Sequence, residues 1–250
     1  MSFTADSALV QAVLASPNRG ARVGDALDML ILHYTGMPTA QGALERLRDP
    51  AAEVSAHYFV FEDGRIVQMV AEADRAWHAG AGAWAGARDI NSRSIGIEIA
   101  HPGHAGGLPP YPEAQIAALA RLAGDIVVRR AIPAHRVLAH SDVAPARKED
   151  PGENFPWERL ARDGVGHWVA PAAMRDGRFL AMGDTGQPVE ALQAMLALYG
   201  YDQPVTGHFD ETMRAVVTAF QRHFRPARID GVADASTITT LRDLIAARPA

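Results

Sequence analysis

Three short, mostly apolar segments, each with an acidic or imidazole side chain in it or directly after it, constrain the fold most strongly. They cover residues 27–34, 94–100 and 136–139. Runs of this length are typical of buried β-strands, because helices usually need about ten residues or more. Their polar members are His33, Glu98 and His140. We therefore expect a buried β-sheet that carries three polar groups at or near strand ends.

Helical periodicity and one hairpin complete this first domain. Helices are predicted at residues 39–48, 112–130 and 156–162. Thr39 is a suitable N-cap for the first of them. Two strand-like runs, residues 55–61 and 65–70, flank Asp63 and Gly64, a pair typical of a two-residue type I′ turn. The pattern predicts an α/β fold, in which helices flank a mixed central β-sheet.

The pattern changes to helices alone near residue 185. Apolar side chains follow the helical period in residues 188–198, 212–224 and 236–247. Asp210 and Asp234 each close a Gly-x-x-Asp segment before a helix, and both are natural N-caps. This weak internal repeat predicts a small all-α domain of three helices. We divide the chain into an N-terminal leader, an α/β domain, a linker and the helical domain, at residues 1–25, 26–168, 169–184 and 185–250.

Composition excludes several classes of protein. The net charge is −5 and the sequence pI is about 6.0, which argues against a nucleic-acid partner. There is no cysteine, so a metal site must use His, Asp or Glu. No apolar stretch approaches the roughly 20 residues of a membrane span. The N-terminus lacks the features of a signal peptide, so we expect a cytoplasmic protein, with the periplasm or cell envelope as the alternative.

The three polar strand residues suggest one hydrolytic site. Burying such groups without partners costs about 1–3 kcal/mol each, so their convergence is the simplest explanation. Imidazole and carboxylate groups suit zinc, and a catalytic zinc keeps three protein ligands and one open position. Asp150 is the best third ligand beside His33 and His140, because the loop after His140 can return it to the metal. Glu98 would then be the general base, and Lys148 would stabilise an oxyanion.

Other interpretations of the same residues remain open at this point. A lone histidine at a strand end, such as His33, is more often a hydrogen-bonded structural residue, and Glu98 is also compatible with the exposed position of an amphipathic strand. Asp150 precedes a proline and suits a turn, while Lys148 lies in a charged run typical of solvated surface. Further candidate ligands are His57, His78, His101, His104 and His135.

Five motifs, in this order along the chain, resemble the type 2 N-acetylmuramoyl-L-alanine amidases. They are Leu30-Ile31-Leu32-His33-Tyr34-Thr35, Val54-Ser55-Ala56-His57-Tyr58 with Asp63-Gly64, Ala76-Trp77-His78-Ala79-Gly80, Asn91-Ser92-Arg93-Ser94-Ile95-Gly96-Ile97-Glu98, and Ala139-His140-Ser141-Asp142-Val143-Ala144-Pro145 continuing through Arg147-Lys148-Glu149-Asp150-Pro151-Gly152. The resemblance covers about residues 25–160. It implies a Zn²⁺ enzyme that cleaves the amide between the lactyl group of N-acetylmuramic acid and L-alanine, in peptidoglycan or in soluble muropeptides.

The resemblance also implies roles for single residues. His33, His140 and Asp150 match the zinc ligands of the family, with Asp150 at the position where other branches have a cysteine. Glu98 matches the catalytic carboxylate, and Lys148 the lysine near the scissile carbonyl.

Two further residues lie in family motifs beside the cleft. His78 and Asn91 are candidates for substrate binding, although ordering of the surrounding loop would explain them equally well.

The helical domain resembles the three-helix peptidoglycan-binding domain. Its marks are Leu192-Gln193, Gly200-Tyr201, Thr206-Gly207-His208-Phe209-Asp210, Ala219-Phe220-Gln221-Arg222 and Ile229-Asp230-Gly231. The resemblance implies a module that targets the enzyme to peptidoglycan, and a merely stabilising helical appendage is the alternative. For the whole chain, the alternatives to the amidase are a non-catalytic peptidoglycan-binding recognition protein and a different zinc amide hydrolase.

Overall fold

The computed structural model describes residues 3–248, which form eight strands and eight α-helices. The strands are β1 (Ala12–Val13), β2 (Arg19–Ala21), β3 (Met29–Tyr34), β4 (Tyr58–Val60), β5 (Ile66–Gln68), β6 (Asp74–Ala76), β7 (Ser94–Ile99) and β8 (Val137–Ala139). The helices are α1 (Ala40–Arg48), α2 (Ile90–Arg93), α3 (Glu113–Arg130), α4 (His140–Val143), α5 (Trp157–Arg162), α6 (Gln187–Tyr199), α7 (Glu211–Phe224) and α8 (Ala235–Ala247). Within residues 3–248, none of these helices combines the length and the apolar character needed to cross a bilayer.

A six-stranded mixed sheet forms the centre of the molecule, in the order β1-β5-β4-β7-β3-β8. Strands β4, β7, β3 and β8 run parallel, β5 is antiparallel to β4, and β1 lies parallel to β5. The α/β prediction is therefore confirmed. Because β3, β7 and β8 are parallel, their carboxyl ends meet at one edge of the sheet. Residues His33 and Glu98 are direct partners in this register.

Helices cover both faces of the sheet. Leu30 and Leu32 of β3 pack against α3 on one face. Met29 and Ile31, which alternate with them, belong instead to a core that includes α6, α7 and α8. Helix α1 packs with β4 and β5 in a third, smaller core. The three C-terminal helices thus complete the covering of the central sheet.

The predicted helices and their caps are confirmed. Thr39 accepts a hydrogen bond from the amide of Gly42 at 3.2 Å and caps α1. The carboxylates of Asp210 and Asp234 accept from backbone amides in the first turns of α7 and α8. Each cap satisfies a donor that the helix itself cannot pair.

The predicted type I′ turn is wrong. Phe61 donates its amide to the carbonyl of Arg65 at 2.9 Å, which leaves three residues in the loop, and Gly64 donates to Phe61 at 3.0 Å. Gly64 is left-handed, with a φ of 85°, whereas a type I′ turn would also need a positive φ at Asp63. The Asp63 carboxylate accepts from the amide of Arg65 instead, which stabilises this wider turn.

Residues 3–25, within the predicted N-terminal leader, contribute two strands to the fold. Strand β1 pairs with β5, and β2 pairs with β6 in a second, two-stranded sheet. The guanidinium of Arg22 donates to the carbonyls of Ser92 and Ser94 at 2.8 and 3.0 Å. Strands of two or three residues are too short to show a hydrophobic period, so no local pattern indicates them.

Candidate metal centre

Three side-chain atoms from separate parts of the chain converge at the carboxyl edge of the sheet. Nδ1 of His33 lies 2.9 Å from Nδ1 of His140, and both nitrogens lie 3.0 Å from Oδ2 of Asp150. His33 is at the end of β3, and His140 begins α4 directly after β8. The amide of Ser141 donates to the carbonyl of Asp150 at 3.1 Å, which returns the loop to its start. The convergence of these residues, expected from the sequence, is therefore observed.

The tautomer of His140 is set by a hydrogen bond to the backbone of Ala79. Its Nε2 lies 2.9 Å from the carbonyl oxygen of Ala79, which can only accept, so Nε2 carries the proton. In a neutral imidazole Nδ1 then presents a lone pair toward Asp150.

A chain of hydrogen bonds fixes His33 in the same way. Ser94 donates its hydroxyl to the carbonyl of Ile90 at 2.6 Å and lies 3.2 Å from Nε2 of His78. His78 Nδ1 in turn lies 3.0 Å from Nε2 of His33. Each ring therefore donates from Nε2 and accepts at Nδ1. Burial, followed by the neighbouring His140, lowers the pKa of His33 to about 4, which keeps the ring neutral.

This arrangement fits a bound cation. Three lone-pair donors face one another at 2.9–3.0 Å with the protons of both rings directed elsewhere, so they repel unless a positive ion lies between them. The ligand–ligand spacing in a tetrahedral site with zinc–ligand distances near 2.0–2.2 Å is about 3.3 Å, close to that separation. His33, His140 and Asp150 are buried and form a group able to hold a metal.

Glu98 lies beside this group on β7. Its Oε2 is buried and has no hydrogen-bond partner among residues 3–248. Burial raises the pKa of Glu98 well above its usual range, the negative charge of Asp150 adds to this effect, and Lys148 opposes it. Glu98 thus combines a carboxylate oxygen without a described hydrogen-bond partner, a raised pKa, and a position beside the three candidate metal ligands. These properties are expected of a general base.

A cleft of about 260 Å³ opens over these residues. It is lined by His33, Tyr34, Thr35, Met37, Ala43, Arg46, Leu47, Val54, Ser55, Trp77, His78, Glu98, His140, Lys148 and Asp150. Lys148 is half-buried in this wall and shares it with Asp150. The expected metal ligands, the expected base Glu98 and the Lys148 side chain therefore all line one cleft.

Asn91 and His78 have structural partners. Oδ1 of Asn91 accepts from the amides of His78 and Ala79 at 3.1 and 2.8 Å, which orders the loop that supplies the carbonyl to His140. The ring of His78 lies so close to β7 that a Cβ at Gly96 would be 2.5 Å from it. His78 also lines the cleft, so its predicted contact with substrate stays a prediction beside its hydrogen bond to His33.

His57, one of the further candidate ligands, is engaged elsewhere. Its Nδ1 accepts from the amide of Gly96 at 3.0 Å, and its Nε2 lies 2.9 Å from the guanidinium of Arg22. Three residues at or near the site were not predicted from the sequence. Arg46 and Trp77 line the cleft, and Ser94 lies against His78. Trp77 could have been predicted, because it stands in one of the family motifs. Arg46 looks like an ordinary cation in the last turn of a helix and Ser94 like an ordinary strand residue, so no pattern in the sequence distinguishes them.

Comparison with known proteins agrees with this geometry. Residues 23–153 match the N-acetylmuramoyl-L-alanine amidase family, and residues 185–241 match the family described as putative peptidoglycan binding domain. The N-acetylmuramoyl-L-alanine amidase AmiD of Escherichia coli strain K12 is 41% identical over 225 residues, which are 84% of this chain and 79% of AmiD.

Two solved structures share the fold over most of their length. The complex of E. coli AmiD with anhydro-N-acetylmuramic acid-L-Ala-D-gamma-Glu-L-Lys has a TM-score of 0.75 at 38% identity and covers 93% of this chain and 90% of that chain. AmpDh3 of Pseudomonas aeruginosa in complex with anhydromuramic pentapeptide has a TM-score of 0.71 at 31% identity, with 88% and 91% covered. This chain belongs to the N-acetylmuramoyl-L-alanine amidase family and carries a peptidoglycan-binding domain at its C-terminal end.

Proposed function

We propose that this protein is a zinc-dependent amidase that hydrolyses the bond between the lactyl group of N-acetylmuramic acid and L-alanine in cell-wall turnover. The observation that carries the proposal is the triangle of three unprotonated donor atoms, His33 Nδ1, His140 Nδ1 and Asp150 Oδ2, with the unpartnered Glu98 carboxylate beside it. This combination is the minimum that a metal-assisted hydrolase requires.

We assign His33, His140 and Asp150 as the metal ligands. Two imidazole nitrogens and one carboxylate oxygen suit Zn²⁺, and in this site they leave the side toward the cleft open. When bound, zinc supplies a Lewis acid that acidifies water and polarises an amide carbonyl. The hydrogen bonds from Nε2 of both rings hold the ligands in orientation, as is usual around metal-binding histidines.

We assign Glu98 as the general base. Its carboxylate takes a proton from the attacking water and can return that proton to the amine that leaves. The raised pKa suits this cycle, because a base with a very low pKa would hold the proton too weakly to deliver it. The position of Glu98, one strand away from His33, directs it toward the same space as the ligands.

We assign Lys148 to the developing oxyanion. Its side chain lines the cleft together with Asp150, so an ammonium group is available where negative charge forms on the substrate carbonyl. Such preorganised charge is worth more in a partly buried cleft than in water.

For the substrate, we propose a muropeptide with an attached stem peptide. AmiD and AmpDh3 have been solved with anhydromuropeptides, and the fold of this chain matches both over most of its length. The C-terminal peptidoglycan-binding domain extends the proposal to the polymer. His78 and Trp77 line the cleft and are the candidates for contact with this ligand.

Metal analysis together with product identification tests the proposal. The purified protein is expected to contain close to one zinc per chain and to release peptides beginning with L-alanine from a soluble anhydromuropeptide and from intact sacculi. Mass spectrometry of the products identifies the bond that is cut. Binding of peptidoglycan without cleavage by the zinc-loaded protein would make it a non-catalytic receptor. Cleavage at another amide would make it a different hydrolase.

A further inference from the structure

A buried carboxylate connects the C-terminal domain to the metal-binding loop. Asp142 is fully buried, two residues after the ligand His140. One of its oxygens accepts from the hydroxyl of Tyr201 at 2.7 Å, and the other lies 2.6 Å from Nδ1 of His223 and 2.8 Å from the amide of Ala139. Tyr201 precedes α7 and His223 lies within it, so two of the three partners come from the C-terminal domain.

A second contact holds the other end of the same loop. Arg222, the neighbour of His223 on α7, is nearly buried and lies 3.3 Å from the carboxylate of Glu149 and 3.4 Å from that of Glu153. Glu149 directly precedes the ligand Asp150 and follows Lys148. Helix α7 therefore contacts the loop within two residues of both ligands that the loop supplies.

The two domains are closely packed around these contacts. The ring of His223 stacks on Trp157 with a centroid separation of 3.7 Å. A Cβ at Gly200, just before Tyr201, would lie 2.4 Å from the ring of Trp84. A module that served only as a tethered anchor would not need a buried carboxylate across its boundary, because such a group is costly unless every partner is in place.

We propose that Tyr201, His223 and Arg222 are positioning residues for the amidase reaction, which hold residues 140–150 so that His140 and Asp150 meet at the metal. The C-terminal domain is then a structural part of the active site in addition to a peptidoglycan-binding module. The catalytic consequence rests on the proposed function, whereas the ordering of the loop does not.

Tyr201→Phe tests the inner contact, and Tyr199→Phe is its matched control. Both changes remove one hydroxyl from a buried tyrosine of the same domain, but the hydroxyl of Tyr199 pairs with His167 at 3.0 Å and makes no described hydrogen bond to Asp142. We expect Tyr201→Phe to weaken zinc binding about 10-fold in chelator competition, as loss of a group that supports a metal ligand does. On a soluble anhydromuropeptide, kcat should fall while KM stays within about two-fold. Tyr199→Phe should change neither value.

Arg222→Gln tests the outer contact, with Arg214→Gln as control on the same helix. Arg214 pairs only locally, with Glu211 three residues before it, among the described ion pairs. Arg222→Gln should weaken zinc binding and Arg214→Gln should not. Because Arg222 is at the edge of the interface, this pair remains informative if Tyr201→Phe does not fold.

Hydrogen exchange separates the two proposals. The amide of Ser141, which closes the loop onto Asp150, should exchange faster in Tyr201→Phe than in Tyr199→Phe whether or not the protein cleaves muropeptides. Faster exchange without any turnover in the wild-type protein would support the positioning role and reject the amidase. If Tyr201→Phe and Tyr199→Phe show equal exchange and equal zinc affinity, or if both lose thermal stability alike with no loss of zinc, the positioning role is wrong.

Discussion

At the scale of single residues, the site depends on which atoms are left without a proton. His33 and His140 use Nε2 as a donor, to His78 and Ala79, so both Nδ1 atoms face Asp150 as acceptors. Glu98 contributes a carboxylate oxygen with no partner in the described part of the chain. In the proposed mechanism, metal binding and proton transfer are therefore separated: three residues supply ligand atoms, and a fourth is free to exchange a proton.

Glu98→Gln should abolish most turnover and leave the metal in place. The amide cannot accept the proton of the attacking water, so kcat is expected to fall by about 10²–10⁴-fold, the usual contribution of a general base. Zinc content should be unchanged, because Glu98 is outside the ligand group. Glu62→Gln, in the exposed hairpin turn, is the control and should behave as wild type. Turnover near the wild-type value would show that Glu98 is not the base.

Asp150→Ala should release the metal. Loss of a group that merely supports a ligand costs about 10–100-fold in metal affinity, so loss of the ligand itself should exceed the upper end of that range. Chelator competition measures it, with Asp163→Ala at the surface as control. An unchanged affinity would mean that another residue is the third ligand, although His57 already bonds to Gly96 and Arg22.

At the scale of elements, a buried ion pair network fixes helix α3 to the sheet. Glu72 is fully buried and accepts from Tyr58 at 2.6 Å, from Arg129 at 2.9 and 3.0 Å, and from Arg130 at 2.6 Å. Arg129 and Arg130 are the last two residues of α3, and Tyr58 begins β4. Burial alone would raise the pKa of Glu72, but the hydrogen bonds from Arg129, Tyr58 and Arg130 lower it to about 2.

This network predicts a specific loss of stability in acid. Because the pKa of Glu72 is lower in the folded protein than in the unfolded chain, its contribution is complete above the unfolded pKa and disappears as the pH falls toward 2. We expect it to remove about 2 kcal/mol of the free energy of unfolding between pH 7 and pH 3.

Urea unfolding of the zinc-free protein and of Glu72→Gln at both pH values measures this effect. The variant should be less stable at pH 7 but should lose less stability on acidification than the wild type. Equal losses in the two proteins would contradict the assignment.

At the scale of the whole molecule, the α/β domain and the C-terminal helices share one core. Met29 and Ile31 of β3, together with Val143 of α4, are in the same buried cluster as Val216 and Phe220 of α7. Neither part can therefore expose its side of the interface without uncovering apolar surface. The chain matches two sequence families, but one of its hydrophobic cores contains residues of both.

We expect the full chain to unfold in a single thermal transition. Because the shared cluster must open when either part unfolds, the calorimetric and van't Hoff enthalpies should agree within error. Differential scanning calorimetry of the zinc-loaded and zinc-free protein provides the measurement. Two resolved transitions, with the C-terminal helices melting first, would show that the interface contributes little.

Gly200→Ala should weaken the interface, with Gly186→Ala as control. Both glycines have positive φ, 142° and 92°, so both variants carry backbone strain. Only at Gly200 would the new Cβ meet another residue, the ring of Trp84, whereas no described atom lies within 4 Å of it at Gly186. Overpacking costs about 1–3 kcal/mol, so Gly200→Ala should lose that much more stability than Gly186→Ala. Equal losses in urea unfolding would mean that the interface adjusts without cost.

The sequence by itself determined the fold class and the long helices, and it indicated His33, His140 and Asp150 as candidate metal ligands. These features follow from local periodicity and from a few polar residues in apolar strands, which are costly unless they serve one site. His33 and His140 could be selected in this way because parallel strands bring their carboxyl ends together. Asp150 could be selected because the loop after His140 can return it to the same place.

Only the tertiary structure decided how those residues are held. The short strands β1 and β2, the turn at Gly64, and the hydrogen bonds of His78 and Asn91 depend on partners far away in the chain. The contact of Asp142 with Tyr201 and His223 joins residues 59 and 81 positions apart. No local pattern encodes such pairs, because each residue taken alone suits a loop or a helix surface. Only the packing of one domain on the other brings these side chains into contact.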